Sequence, residues 1–205
     1  MNTPYNTAAA AAAASAQSRP QPADDFRYAS GPTGYGMAVK VGECLPLPVH
    51  AKGYIYLGGP ILGAAYSEAR FGWRQYVQEH VAFGIRVLSP MRHEGHLVTH
   101  NGPIEDDVVD NATHFFAGSK VIFHKDVLDI RRCDVMLVNL LGATRPSLGS
   151  VTEIGMGYAL DKTIVTVMEP GNIHWHPFVT EPSALVLDNL DDAIFAVNGL
   201  LSTGV

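Results

Sequence analysis

A glutamate that follows a serine- and glycine-rich turn is the first candidate for chemistry. Residues 146–155 read PSLGSVTEIG and are predicted to open a helix with Glu153 in its first turn. Hydroxyl and free N–H groups at such a turn can bind a polar ligand. A carboxylate that the helix dipole keeps ionised can attack the anomeric carbon of a sugar. The same spacing also fits a non-catalytic capping box between Ser150 and Glu153.

Three aspartates, Asp126, Asp129 and Asp134, lie on and just after the segment that leads into a predicted strand. Asp126 and Asp129 are three residues apart and can share one helix face, whereas Asp134 begins the strand. Retaining glycosidic chemistry needs one carboxyl group that attacks and a second, about 5 Å away, that handles the proton of the leaving group. Asp126 is the candidate for the second group, although each aspartate also fits a solvated helix surface or a turn.

An α/β fold is predicted to position these residues. Short runs rich in β-forming residues predict strands at 54–57, 85–88, 135–138, 163–167 and 184–187. Apolar periodicity predicts helices at about 66–83, 123–133, 150–161 and 190–201. Right-handed crossovers then give a doubly wound sheet of five parallel strands. Ligands bind such sheets beyond the carboxyl ends of the strands, which is where the glutamate turn lies.

The composition of the chain changes at about residue 50. Residues 1–50 are rich in Ala, Ser, Pro and Gly and lack apolar periodicity, which predicts a flexible N-terminal arm. Residues 51–205 are predicted to form one catalytic domain. The alanine run at 8–14 has no basic residue before it, and no later apolar run reaches the length of a membrane span. We therefore expect a cytoplasmic protein that does not bind membranes.

Charge and cysteine content narrow the classes of partner. The net charge is −6, and the chain has no run of Lys or Arg, which argues against a nucleic-acid partner and favours a small-molecule substrate. Cys44 and Cys133 match no metal or redox spacing, so we expect reduced thiols.

Three histidines, His93, His96 and His100, invite a zinc-site interpretation. Their surroundings, with Gly95 and the NGP sequence at 101–103, predict a loop without the supporting groups of a metal centre. We therefore expect neither a metal nor a cofactor, and we assign His96 to the substrate cleft.

The chain resembles the nucleoside 2-deoxyribosyltransferase superfamily in four successive blocks, at 54–60 (YIYLGGP), 88–92 (LSPMR), 126–139 and 147–160. The resemblance covers about residues 53–200. It implies a flavodoxin-like form of the predicted sheet and a covalent deoxyribosyl intermediate on a glutamate. By this resemblance Glu153 is the nucleophile, Asp126 manages the proton on the leaving base, and the hydroxyl of Tyr56 positions the nucleophile.

The resemblance also suggests substrate-binding residues. Gly58 and Gly59 would allow close approach of the ligand, and Ser147, Gly149 and Ser150 would bind it at the turn. Ser147 resembles the phosphate-binding serine of enzymes that hydrolyse deoxynucleoside 5′-monophosphates, where typical transferases carry an aspartate that binds the 5′-hydroxyl.

Those hydrolases also carry an arginine after the glycines of the first strand, where this chain has Ile61 and Leu62. Arg92 or Arg145 is the candidate replacement. His174 and His176 resemble a region that reaches the site of a neighbouring subunit, which implies a homo-oligomer with sites near its interfaces. An exposed loop is the alternative for these two histidines.

The expected function is cleavage of a 2′-deoxynucleoside and transfer of its deoxyribosyl group to another base. The partners are then a nucleoside or nucleotide and a free base. A deoxynucleoside 5′-monophosphate N-glycosidase and a non-catalytic nucleotide-binding protein are the alternatives. A dinucleotide-dependent oxidoreductase is excluded because Gly58-Gly59-Pro60 does not supply the glycine pattern that such enzymes need after the first strand.

Overall fold

Five parallel strands form the centre of the computed structural model, which describes residues 51–92, 94, 97, 103–104 and 118–202. The strands are β1 (Gly53–Gly58), β2 (Ile85–Leu88), β3 (Val135–Asn139), β4 (Thr163–Val167) and β5 (Leu185–Leu187). Their order in the sheet is β2-β1-β3-β4-β5, and every neighbouring pair is parallel. This order confirms the predicted flavodoxin-like, doubly wound α/β fold.

The helices cover both faces of the sheet. They are α1 (Tyr66–Phe71), α2 (Trp73–His80), α3 (Ser119–Arg132), α4 (Leu148–Ala159), α5 (Pro177–Thr180) and α6 (Leu190–Leu201). None of the described helices is both long and apolar enough to cross a membrane. The predicted arm at 1–50 and the histidines His93, His96 and His100 lie outside the described residues.

Alternation along β1 determines which residues face the candidate site. Successive side chains of a strand point to opposite faces of the sheet. Ile55 and Leu57 pack with residues of α2 and α6, whereas Tyr56 packs with residues of α3 and α4. Tyr56 therefore lies beneath the two helices that carry the predicted carboxyl groups.

The carboxyl ends of β1 and β3 lie side by side. Tyr56 is in register with Met136, and Gly58 is in register with Val138. After β1 the chain crosses to β2 on one side, and after β3 it crosses to β4 on the other. This reversal is the topological switch point, where sheets of this kind bind their ligands.

Candidate active site

Tyr56 and Glu153 form a hydrogen-bonded pair between the sheet and helix α4. The Tyr56 hydroxyl donates to Oε1 of Glu153 at 2.8 Å. Tyr56 is fully buried in β1, an inner strand of the sheet, so its ring is held by packing on all sides. The structure therefore brings together two of the predicted site residues that are 97 positions apart in the chain.

The position of Glu153 on its helix differs from the prediction. Helix α4 begins at Leu148, and Ser147 is its N-cap, with Oγ accepting from the Ser150 N–H at 3.3 Å. Glu153 is thus in the second helical turn rather than the first, and its carboxylate accepts from Tyr56 rather than capping the helix. Both the first-turn prediction and the capping-box alternative are wrong, because Ser147 takes the cap position.

Burial is the largest influence on the pKa of Glu153. Removal from water raises the pKa of Glu153 to about 7, although the hydrogen bond from Tyr56 and the positive charge of Arg74 both act to lower it. The predicted control by the helix dipole does not dominate, since Glu153 lies beyond the first turn, where that effect is strongest. At neutral pH a substantial fraction of Glu153 is ionised and can act as a nucleophile.

Asp126 on helix α3 lines the same cavity as Glu153. Burial raises the pKa of Asp126 to about 8; Lys125 opposes this rise, and Glu153, Asp129 and Glu94 add to it. Its buried Oδ1 has no hydrogen-bond partner among the described residues. Asp126 is thus a carboxyl group that retains its proton near neutral pH and can transfer it to a bound molecule.

The other two aspartates of the sequence cluster have structural contacts. Asp129 is fully buried and forms an ion pair with Arg92, with 2.8 Å between Oδ2 and Nη2. Asp134 accepts a hydrogen bond from the backbone N–H of Tyr54 at 2.8 Å. Asp126 is therefore the member of the cluster that faces the cavity.

The glycines at the end of β1 are needed by the protein itself. A Cβ at Gly58 would lie 3.1 Å from Oε2 of Glu153, and a Cβ at Gly59 would lie 2.6 Å from the carbonyl oxygen of Asn139. Gly59 also has a φ of +148°, which L side chains rarely adopt. Gly59 lines the cavity, whereas Gly58 makes room for the carboxylate of Glu153.

Arg74 is a site residue that the sequence analysis did not identify. It lies on α2 and is only 2% exposed. Its guanidinium donates to the carbonyl oxygens of Ala69 at 2.8 Å and Gly59 at 2.9 Å and lies over the ring of Trp73. Burial lowers the pKa of Arg74 to about 10, so it remains charged at neutral pH. A single arginine in a helix with many polar residues carries no distinctive sequence pattern.

The turn before α4 is held by a histidine from another loop. Nε2 of His174 accepts from the Ser147 backbone N–H at 2.8 Å, and the hydroxyls of Ser147 and Ser150 are 2.9 Å apart. Ser147, Gly149 and Ser150 all line the cavity; that they bind substrate stays a prediction. His174 itself is buried and does not line it.

The remaining predicted residues lie in different places. The guanidinium of Arg92 is engaged by Asp129, and Arg92 does not line the cavity. Arg145 is exposed and does line it. His176 is also exposed, caps α5 by accepting from the Phe178 N–H, and lies outside the cavity lining. Within this chain the structure therefore brings Arg145, but not Arg92 or His176, to the site.

The cavity has a volume of about 850 Å³, which suits a molecule of nucleoside or nucleotide size. Its lining comes from the segments after β1, β2 and β3, from α3 and from α4. In the described part of the chain, no three His, Cys, Asp or Glu side chains are grouped as metal ligands would be.

A sequence model of the nucleoside 2-deoxyribosyltransferase family matches residues 55–189. A search of curated protein sequences gives no match.

Similar solved structures include a 2-desoxiribosyltransferase from Leishmania mexicana, with 19% identity, a TM-score of 0.45, and coverage of 71% of this chain and 95% of that one. A CMP N-glycosidase from Clostridium botulinum has 15% identity, a TM-score of 0.41, and coverage of 72% and 98%. A molybdenum cofactor binding protein from Rippkaea orientalis has 12% identity, a TM-score of 0.43, and coverage of 73% and 98%. Because the family model matches more than half of the chain, this chain belongs to the nucleoside 2-deoxyribosyltransferase family.

Proposed function

We propose that the protein cleaves the N-glycosidic bond of a 2′-deoxynucleoside and transfers the deoxyribosyl group to another base, with Glu153 as the nucleophile. The observation that carries this proposal is the hydrogen bond from the buried Tyr56 hydroxyl to Glu153 in a cavity that also holds Asp126. A nucleophile fixed by a rigid donor, with a proton donor in the same cavity, is the arrangement that two-step glycosidic chemistry needs.

In the first step, a carboxylate oxygen of Glu153 forms a bond to C1′ of the sugar. The bond between C1′ and the base breaks, and its electron pair stays on the base nitrogen. Asp126, whose pKa of about 8 keeps it protonated near neutral pH, gives its proton to the leaving base. The products of this step are a neutral base, an ionised Asp126 and a deoxyribosyl ester of Glu153.

In the second step, a nitrogen of an incoming base attacks C1′ and displaces the Glu153 carboxylate. Asp126 accepts the proton that this nitrogen loses, so both carboxyl groups return to their initial states. If water attacks instead, the same cycle gives free deoxyribose and the protein is a hydrolase.

A hydrolase that acts on 5′-monophosphates is the second candidate, and three residues of the cavity favour it. Ser147 and Ser150 present hydroxyl groups at the start of α4, a position that suits a phosphate. Arg145 lines the same cavity and has no ion pair within the described residues. A guanidinium adds a strong, charge-assisted contact to a phosphate.

Incubation with paired substrates and bases tests the proposal. Deoxyinosine and thymidine are each mixed with a second base, their 5′-monophosphates are treated in parallel, and the products are separated by chromatography. Transfer predicts the swapped nucleoside. Base release from the monophosphates alone, unaffected by the second base, would instead establish the hydrolase.

Two variants assign the roles within the same assay. We expect Glu153→Gln to abolish both base release and exchange. We expect Asp126→Asn to slow reaction most for bases that need protonation to leave and least for bases that leave readily as anions. Equal slowing of both kinds of base would contradict the proton-transfer role of Asp126.

A further inference from the structure

A buried histidine is linked to the turn that begins helix α4. Nε2 of His174 accepts from the Ser147 backbone N–H at 2.8 Å, and the His174 side chain is only 4% exposed. Because a backbone N–H can only donate, this hydrogen bond requires Nε2 to carry no proton. The contact joins the loop after β4 to the start of α4.

The other ring nitrogen is fixed by Asn172. The side-chain amide of Asn172 donates to the carbonyl oxygen of Leu140 at 2.7 Å, so its Oδ1 faces the histidine as an acceptor. Nδ1 of His174 lies 3.0 Å from that oxygen, and the His174 backbone N–H donates to it at 2.9 Å. The network therefore holds His174 as the neutral tautomer with its proton on Nδ1.

The charge environment also favours the neutral ring. Burial lowers the pKa of His174, and Glu169, the charged group that acts on it among the described residues, opposes this shift only in part. Protonation would place an N–H on Nε2 opposite the N–H of Ser147. The hydrogen bond would then be lost, and two donors would face each other.

The turn that this histidine holds forms part of the cavity wall. Ser147, Gly149 and Ser150 line it there, whereas Glu153 lies in the next turn of the helix. If Glu153 attacks C1′, then C5′, at the other side of the sugar, points toward a different part of the cavity lining. The hydroxyl groups of Ser147 and Ser150 offer contacts there for an oxygen on C5′.

We propose that His174 is a positioning residue for the 5′ end of the substrate: its unprotonated Nε2 holds the Ser147 amide, and with it the hydroxyl groups that bind the 5′-oxygen or 5′-phosphate. This inference rests on the proposed function, because it takes the direction of the sugar from the attack by Glu153. His174 acts through Ser147 and does not contact the substrate, since it does not line the cavity.

Two variants separate the acceptor nitrogen from the bulk of the ring. His174→Gln can keep an acceptor near the position of Nε2, whereas His174→Leu fills a similar volume and leaves the Ser147 N–H without a partner. The two proteins are compared with the wild type by thermal unfolding and by kcat and KM. The substrates are a 2′-deoxynucleoside, its 5′-monophosphate and its 5′-deoxy analogue, all carrying a base that the wild type releases.

We expect His174→Leu to lower kcat/KM by about tenfold, mainly through KM, for the two substrates that carry a 5′-oxygen. For the 5′-deoxy analogue we expect little change, and His174→Gln should recover most of the loss. The wild type should also lose affinity for the 5′-oxygen substrates as the pH falls through the pKa of His174. With the 2′-deoxynucleoside, compared with its 5′-deoxy analogue so that the titration of Glu153 cancels, His174→Gln should not show this loss, since glutamine does not titrate.

Equal losses for all three substrates, or a His174→Gln variant no better than His174→Leu, would overturn the positioning role and leave the proposed function intact. Base release from none of the substrates by the wild type would overturn the proposed function, and this inference with it.

Discussion

The ionisation of Glu153 depends on a balance between burial, which opposes it, and two groups that favour it, the hydroxyl of Tyr56 and the buried guanidinium of Arg74. The carboxylate must be ionised to attack a sugar, yet its removal from water raises its pKa to about 7. Arg74 opposes that rise, and two backbone carbonyl oxygens hold its guanidinium in place. Arg74 thus acts on Glu153 through its charge, while its hydrogen bonds go to the backbone.

Replacing Arg74 with methionine should raise the pKa of Glu153. We expect the acid limb of the kcat/KM profile to move to higher pH by about one unit, because an opposite charge has been removed from a buried carboxylate. Arg74→Lys is the matched control, since it keeps the charge while losing the fork that bridges the carbonyl oxygens of Ala69 and Gly59. An acid limb that does not move in Arg74→Met, with folding shown by circular dichroism, would mean that Arg74 serves only packing.

We expect the buried carboxyl group of Glu153 to lower the free energy of unfolding of the protein. Its folded pKa of about 7 exceeds the ordinary value of 4.5, so the folded protein binds more protons than the unfolded chain between these pH values. The free energy of unfolding therefore falls as the pH rises through that window.

We expect Glu153→Gln, which still accepts the Tyr56 hydrogen bond, to be more stable than the wild type at pH 8 by at most about 3 kcal/mol. The gain should be smaller at pH 5, where the wild-type carboxyl is mostly neutral in the folded state. Urea unfolding at the two pH values measures it. A gain that is the same at both values would show that the charge is not its source.

The strands were predicted closely, but the helices differ from the prediction at several points, since α3 begins at Ser119 rather than at about 123 and α5 was not predicted. The predicted helix at 66–83 is divided into α1 and α2 at Gly72, where a Cβ would collide with the side chain and carbonyl oxygen of Glu68. The apolar periodicity of the sequence continues through this break, so the sequence pattern does not reveal the break. By local preference, either Ser147 or Ser150 could cap α4. The hydrogen bond from the Ser147 amide to His174 is a tertiary interaction, which cannot be predicted from the periodicity of the sequence.

The predicted site residues that line the cavity were found from side-chain types and the order of blocks. Glu153 and Asp126 have side chains whose chemistry is directly readable in the sequence. Arg74 and His174 differ, because they act through backbone groups of Gly59, Ala69 and Ser147. Backbone carbonyls and amides are present at every position, so such contacts can be identified only once the fold brings the segments together.

Two glycines of helix α4 give a test of how that element packs. A Cβ at Gly157 would collide with Sδ of Met136 on β3, whereas a Cβ at Gly155 would meet nothing within 4 Å. We expect Gly155→Ala to raise the free energy of unfolding by up to about 1 kcal/mol through helix propensity. Gly157→Ala should lower it, because the Met136 side chain or the helix must shift within a closely packed interior. The reverse order in thermal or urea unfolding would contradict the close packing of α4 on β3.

At the scale of the whole molecule, exposed apolar side chains surround the cavity. Leu148 is 82% exposed and Phe123 is 51% exposed, and both line the cavity. We expect a homo-oligomer that covers this surface, because apolar side chains grouped at a functional site commonly mark an interface. The predicted N-terminal arm, at 1–50, stays a prediction.

Light scattering coupled to gel filtration tests this assembly. The wild type should have a mass that is a multiple of 22.0 kDa, and Leu148→Asp should shift it toward the monomer. Phe195→Asp is the matched control, since Phe195 is 81% exposed on α6, which packs on the other face of the sheet. A monomeric wild type, or equal effects of both substitutions, would contradict an interface at the cavity.

The central claim is that Glu153 forms a covalent bond to the sugar, and trapping that species tests it most directly. A 2′-deoxy-2′-fluoroarabinonucleoside with a good leaving base should react and then persist, because the fluorine destabilises the oxocarbenium-like transition state of the second step. We expect the protein mass to rise by one 2-deoxy-2-fluoroarabinosyl group on the peptide that contains Glu153, and no such rise in Glu153→Gln. An adduct on another residue, or wild-type base release by Glu153→Gln, would contradict the account.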